Sequence, residues 1–280
     1  MLKQPALASP ASPAIAARNA AVRALLGELV TYPKPGLVSL VDTGSHADMD
    51  SATFVRSTLS LRHYFFDMAR AGAAGEAFRT LRDIAIEAEA RMLRATGGIN
   101  THRGAIFHIG LLAAAAGWRE QRDATRREPL GSLVRQRWGE DIARHGRRAD
   151  AHGNRASDRY GVGGAPAEAA AGFPSVYRLA LPAYRFALAR TGSPNHAPVQ
   201  AFFALMSALD DTNLLHRGGA QGLAFARASA RSFLQAGGVL APGWQDCAVR
   251  IHHAFRERWL SPGGSADLLA VCLFIHAMEG

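Results

Sequence analysis

The chain contains only two cysteines, Cys247 and Cys272, and the second lies in the apolar run 268–275. Two such thiols make no disulfide framework, and a packed, reduced state fits a cytoplasmic protein. A membrane-spanning segment is also missing. The longest apolar stretch, residues 268–278, is interrupted by His276 and is far shorter than the ~20 residues that cross a bilayer. At the start, Pro5, Ser9, Pro10, Ser12 and Pro13 break any continuous apolar segment that an export signal would need. Residues 1–13 are therefore expected to be a flexible arm. Aromatic residues make up 8% of the chain and are not interleaved with basic runs, so no stacking platform for nucleic acid is legible. Strand signals are scarce as well: there is little β-branched clustering and no alternation of period two.

What is present is helical periodicity. Apolar residues recur at helical spacing over 14–30, 53–69, 78–93, 104–118, 176–189, 199–209, 223–234 and 266–278. These segments are rich in Ala and Leu, which predicts an all-α fold in a single large helical domain. The stretches 104–117 and 202–209 are apolar nearly all round and are expected as a buried central helix pair. Between Arg119 and Arg159 the composition turns basic, with eleven arginines. This region, about 119–160, reads as a mobile insertion or lid around an exposed helix at 130–142. The net charge of +9 comes almost wholly from arginine, which prefers bidentate contacts with phosphate or carboxylate. Anionic partners are expected, with no nucleic acid and no membrane among them. A basic helical nucleic-acid-binding module remains the non-enzyme alternative.

Five polar, Gly-rich segments interrupt the apolar helices. The first, 31–50, carries Lys34, Ser39 and His46 with the acids Asp42, Asp48 and Asp50. Clustered oxygen ligands without cysteine suit Mg²⁺ held partly by substrate phosphates, whereas Asp50 also has the look of a helix cap. In the second, 96–107, Gly97 and Gly98 are expected to let backbone approach a ligand. Asn100, Thr101, His102 and Arg103 follow at a helix start, a ready anion site. The third, 160–174, holds Glu168 as its only acid. The fourth, 210–219, contains Asp211, Asn213, His216, Arg217, Gly218 and Gly219, repeating the His-Arg-Gly of 102–104. The fifth, 260–269, offers Ser261, Gly263, Gly264, Ser265 and Asp267, the last a candidate metal or ribose ligand.

These blocks, Pro33-Lys-Pro-Gly-Leu-Val-Ser, Gly44-Ser-His-Ala-Asp-Met-Asp, Thr96-Gly-Gly-Ile-Asn-Thr-His-Arg-Gly-Ala-Ile-Phe, Asp211-Thr-Asn-Leu-Leu-His-Arg-Gly-Gly and Leu260-Ser-Pro-Gly-Gly-Ser-Ala-Asp-Leu-Leu, resemble the triphosphoribosyl-dephospho-CoA synthase family. The likeness is strongest to members that serve malonate decarboxylase, with the citrate lyase type as the near relative. It departs at Pro166, where the family pattern has Arg before Ala-Glu-Ala. The resemblance implies an all-α pentosyltransferase that uses ATP and 3′-dephospho-CoA with Mg²⁺, releases adenine, and acts upstream of a second transferase and an acyl carrier protein. Homodimer formation is left open. For the reaction so implied, the candidate catalytic residues are Asp48, Asp50, Asp211, Glu168, His102 and His216. Lys34, Arg103 and Arg217 are candidates for phosphate, and Asp42, Asp48, Asp50 and Asp267 for metal. The alternative enzyme is a Mg²⁺-dependent glycohydrolase of the nucleoside or ADP-ribosyl type.

Overall fold

A computed structural model describes residues 12–122, 127–145 and 159–280. Among them are eleven α-helices and no strand, as the Ala- and Leu-rich periodicity predicts. In chain order they are α1 (Pro13–Val30), α2 (Ser51–Ala73), α3 (Phe78–Ala95), α4 (Arg103–Arg122), α5 (Leu130–His145), α6 (Gly164–Ala170), α7 (Leu181–Thr191), α8 (His196–Met206), α9 (Thr212–Gln235), α10 (Trp244–Glu257) and α11 (Gly263–Glu279). A short π-helical stretch, Val176–Ala180, runs into α7. None of these helices is long and apolar enough to cross a membrane. The expected arm at 1–13 falls largely on residues outside the described set, as do residues 123–126 and 146–158 of the expected insertion.

Helix α4 is buried from Ala105 to Gly117, Phe107 excepted, and packs against α1, α2, α3, α5 and α11. Its small side chains let α2 approach until backbone meets backbone. A Cβ on Gly72 would collide with the Ala114 carbonyl, and one on Gly117 with the Ala69 carbonyl. Tyr64 of α2 lies over Gly110 and donates to the Ile106 carbonyl at 2.8 Å, so its buried hydroxyl is satisfied. Helix α8 is the second apolar helix, and α11 packs against both it and α4.

One expectation needs correction. The helix at 130–142 is not an exposed element, because Leu130, Leu133, Val134, Trp138 and Ile142 form a buried stripe against α4 and α6. The Trp138 indole donates to the Glu76 carbonyl at 3.0 Å. Its arginines occupy the opposite face, and their number hid the apolar spacing. Helix α10 was not foreseen either. Trp244, Ala248, Ile251 and Phe255 do fall at helical spacing, but charged and histidine residues separate them.

Candidate active site

A cavity of about 880 Å³ opens where the first turns of α4, α9 and α11 converge, with α2, α3 and α6 closing its sides. Three long helices thus present their N-terminal ends to one space, where their aligned peptide dipoles favour negative charge. The polar lining comes from Asn100 to Gly104, Asp210 to Asn213, Gly263, Gly264 and Asp267, with Glu168 on α6 and His46 and Asp48 on the first loop.

Asp211 is the N-cap of α9 and also closes the start of α11. Its Oδ1 accepts from the backbone N–H groups of Asn213 (3.0 Å), Leu214 (3.3 Å) and Gly264 (3.3 Å). Its Oδ2 accepts from Ser265 N–H at 2.8 Å and the Ser265 hydroxyl at 2.9 Å. Burial raises its pKa above the ordinary aspartate value and these donors act against the rise. Five donors fix the carboxylate, so its first role is to hold two helix starts together. Gly264 makes this possible: a Cβ there would stand 3.2 Å from the Asp211 carboxylate.

Asp267 faces the cavity one turn into α11 and packs on the Cα of Gly104, leaving no room for a side chain at 104. Burial first, then the neighbouring charges of Glu28 and Asp211, push its pKa well above the ordinary value. Glu28, on α1, lines the same end of the cavity and forms a buried ion pair with Lys34, which also donates to the Glu28 carbonyl. Lys34 is fully buried and does not line the cavity, so it neutralises Glu28 rather than meeting a ligand directly.

His102 is held by a hydroxyl relay. Thr101 donates to Ser57 at 2.7 Å, and Ser57 lies 2.6 Å from His102 Nδ1. With the Ser57 proton directed at Nδ1, the neutral ring carries its own proton on Nε2, a buried atom with no partner in the protein. Burial, assisted by Lys34, lowers the pKa of His102 to about 3. The ring is therefore a neutral hydrogen-bond donor in the wall of the cavity. Phe54 packs edge-on against it at 5.0 Å.

Glu168 accepts from Ser175 N–H at 2.8 Å and from the Ser175 hydroxyl at 2.9 Å, and burial raises its pKa. His46 contacts the Ser261 hydroxyl at 2.9 Å and accepts from Arg217 at 3.2 Å. Burial, then Arg217, lowers its pKa to about 4. Arg217 further donates to the carbonyls of Ser45 (2.8 Å) and Trp259 (3.1 Å), latching two loops at the mouth. Arg103 donates to Glu89 at 2.6 Å, and Asn100 accepts from the Arg103 N–H at 3.3 Å as a cap on α4.

Of the residues expected from sequence, Asp48, His46, Asn100, Thr101, His102, Arg103, Glu168, Asp211, Asn213, His216, Arg217, Ser261, Gly263, Gly264 and Asp267 line this one cavity. The others lie elsewhere. Asp50 is exposed and caps α2, accepting from Thr53 N–H at 2.8 Å and the Thr53 hydroxyl at 2.7 Å. Asp42 accepts from His252 at 3.0 Å and Arg256 at 3.4 Å, which ties the first loop to α10, and Ser39 shapes the same turn through Val41 N–H. Gly97 and Gly98 have positive φ and exposed positions. Gly98 N–H bonds back to the Leu93 carbonyl at 2.7 Å, so the pair ends α3 rather than cradling a ligand. Gly218 packs under Leu260, and Gly219 breaks α9 with φ 61° and ψ −161°. Glu28, Glu89 and Arg82 also line the cavity and were not foreseen. Among the described residues no group of three or more His, Cys, Asp or Glu is arranged to hold a metal ion.

Residues 15–280 match the CitG family, described as ATP:dephospho-CoA triphosphoribosyl transferase. A probable 2-(5''-triphosphoribosyl)-3'-dephosphocoenzyme-A synthase from Acinetobacter calcoaceticus is 41% identical over 258 residues, covering 91% of this chain and 88% of its own length. The 2-(5''-triphosphoribosyl)-3'-dephosphocoenzyme-A synthase of Klebsiella pneumoniae is 41% identical over 277 residues, covering 92% and 89%. A probable synthase of the same name from Vibrio cholerae is 36% identical over 273 residues. No solved structure matches the chain significantly. The family match runs through every helix that builds the cavity, and this chain belongs to the ATP:dephospho-CoA triphosphoribosyl transferase family.

Proposed function

We propose that this chain moves the 5-triphosphoribosyl group of ATP to the ribose 2′-hydroxyl of 3′-dephospho-CoA, with release of adenine, and that the product serves the acyl carrier protein of malonate decarboxylase. The observation that carries the activity is the family match over residues 15–280. The likeness of the motif blocks to the malonate decarboxylase type supports the client.

In this reaction the bond between adenine N9 and C1′ of ATP breaks, and a bond forms between C1′ and the acceptor 2′-oxygen. The hydroxyl proton passes to a base, and adenine leaves as the neutral base after protonation. Positive charge grows on the sugar, and a carboxylate whose anion is disfavoured in the empty site gains most from it. Asp267, crowded by Glu28 and Asp211, is that group. Glu168, raised by burial and oriented by Ser175, is the base for the acceptor hydroxyl. The Nε2–H of the neutral His102, fixed by Thr101 and Ser57, donates a hydrogen bond to the departing adenine, which takes its proton from water. The triphosphate stays on the transferred sugar, so it needs orientation more than activation. We assign that task to Arg82, Arg103 and Arg217, which line the cavity.

Mg²⁺ is part of the proposal. Asp48 and Asp267 are the two expected ligands that reach the cavity, and an all-oxygen set completed by phosphates and water fits this ion. Asp48, exposed at the mouth, would hold it, and the ion would neutralise the triphosphate.

Chromatography of reaction mixtures containing ATP and Mg²⁺ tests the activity. Adenine release is expected only when 3′-dephospho-CoA is added. Equal release without the acceptor would instead favour the glycohydrolase reading. Mass analysis of carrier proteins from cells lacking the gene tests the client: the prosthetic group should vanish from the malonate decarboxylase carrier. Its loss from a citrate lyase carrier alone would overturn that assignment.

A further inference from the structure

A second cavity, of about 460 Å³, lies on the other side of Asp210, which lines both spaces. Helix α9 serves each of them in turn. Thr212, Asn213, His216 and Arg217 in its first turns line the main cavity, and Leu215 with the stretch beyond the break at Gly219 lines the second. The lining of the second space is mostly apolar, from Tyr160, Val162 and Leu223 together with the small side chains of Ala220, Ala224 and Ala228. Its charged groups are Asp210 and two arginines. Arg227 donates to Asp210 at 2.8 Å and to the Ala208 carbonyl at 2.6 Å, and Arg231 donates to the Ser207 carbonyl at 3.1 Å.

Resting on the transfer reading above, we propose that this groove holds the pantetheine arm of 3′-dephospho-CoA. Three observations lead there. Space comes first: pockets of roughly 300–1,000 Å³ serve one drug-sized ligand, and the main cavity, at about 880 Å³, must seat the reacting ends of two nucleotides. A long spectator arm has to leave it. Continuity comes second, because Asp210 lines both spaces. The third is chemistry. Apart from Asp210 and the two arginines the wall is apolar, which suits a neutral chain with methyl and amide groups.

The test fills the groove from an exposed position. In Ala224→Trp, and separately in Ala228→Trp, the KM for 3′-dephospho-CoA should rise about tenfold while the KM for ATP stays within about twofold. ADP, an acceptor with the adenosine diphosphate end and no arm, should be used or bound equally by wild type and both variants. An unchanged KM for 3′-dephospho-CoA in both, or an equal rise for ADP or ATP, would overturn the proposal. Calorimetric binding reads the groove without turnover. Wild type should bind 3′-dephospho-CoA more tightly than ADP, and the tryptophan variants should lose that difference. If binding behaves so and no adenine is released, the transfer reading fails and the groove assignment stands. If wild type binds the two ligands equally, the groove assignment fails.

Discussion

Asp267 can approach Gly104 only because nothing projects from its Cα, and in the proposed reaction that contact would set where the carboxylate meets the sugar. A methyl group at 104 would push the Asp267 carboxylate off its position while leaving the rest of α4 unchanged. The Gly104→Ala enzyme should therefore lose about 100-fold in kcat, the usual cost of misplacing a catalytic group by about an ångström. Its thermal midpoint should move by only a few degrees, because Ala is the better helix former at that position. A variant with wild-type kcat would remove Asp267 from the mechanism. Asp211 reads differently at this scale. Its five donors make it the joint between α9 and α11, so its removal costs structure before it costs chemistry.

Among elements, the α2–α4 contact decides how closely the cavity wall is drawn in. Gly72 and Gly117 bring the two backbones together, and Tyr64 spans the space over Gly110. Gly72→Ala should destabilise the fold by about 1–3 kcal/mol, read as a lower urea midpoint at unchanged slope. A midpoint equal to wild type would mean that the helices part without cost. The long apolar helices were legible from their periodicity, as was the cap at Asp50. Helices α6 and α10 were not, the first because seven residues give too few turns to show a period, the second because its apolar positions are diluted by charge. Glu28 and Glu89 went unnoticed for a related reason. Each sits on the apolar stripe of its helix, with Ala24, Leu25 and Leu29 around one and Ala85, Ala88 and Met92 around the other. An acid on such a stripe is the signal that would have found them.

The whole molecule brings together segments almost 240 residues apart, from Glu28 to Asp267, and no spacing in the sequence reports that meeting. The motif blocks were legible one by one; that Asp42 and Asp50 leave the cluster while Glu28 and Arg82 join it depends on how the helices pack. The burial of neutral histidines is another property of the whole. His46 and His108 are held at about 4 and His102 at about 3, against 6.5 for the free group, in each case chiefly by burial. Between about pH 6.5 and 4 the unfolded chain binds more of these protons than the folded one, so stability falls as pH falls, by about 1.4 kcal/mol per unit for each histidine. Asp267 has the opposite sign: its raised pKa lets the folded state take a proton while the unfolded chain is still ionised, which offsets part of the loss. Urea midpoints should be lower at pH 5 than at pH 7. An equal or higher midpoint would contradict neutral burial of the three rings.

The most direct test of the transfer itself is mass spectrometry of the purified protein incubated with ATP, Mg²⁺ and either 3′-dephospho-CoA or its 2′-deoxy analogue. The predicted result is a product carrying one added triphosphoribosyl group with the natural acceptor and none with the analogue. Adenine release at the same rate with the 2′-deoxy compound, or no adduct with the natural one, would contradict it.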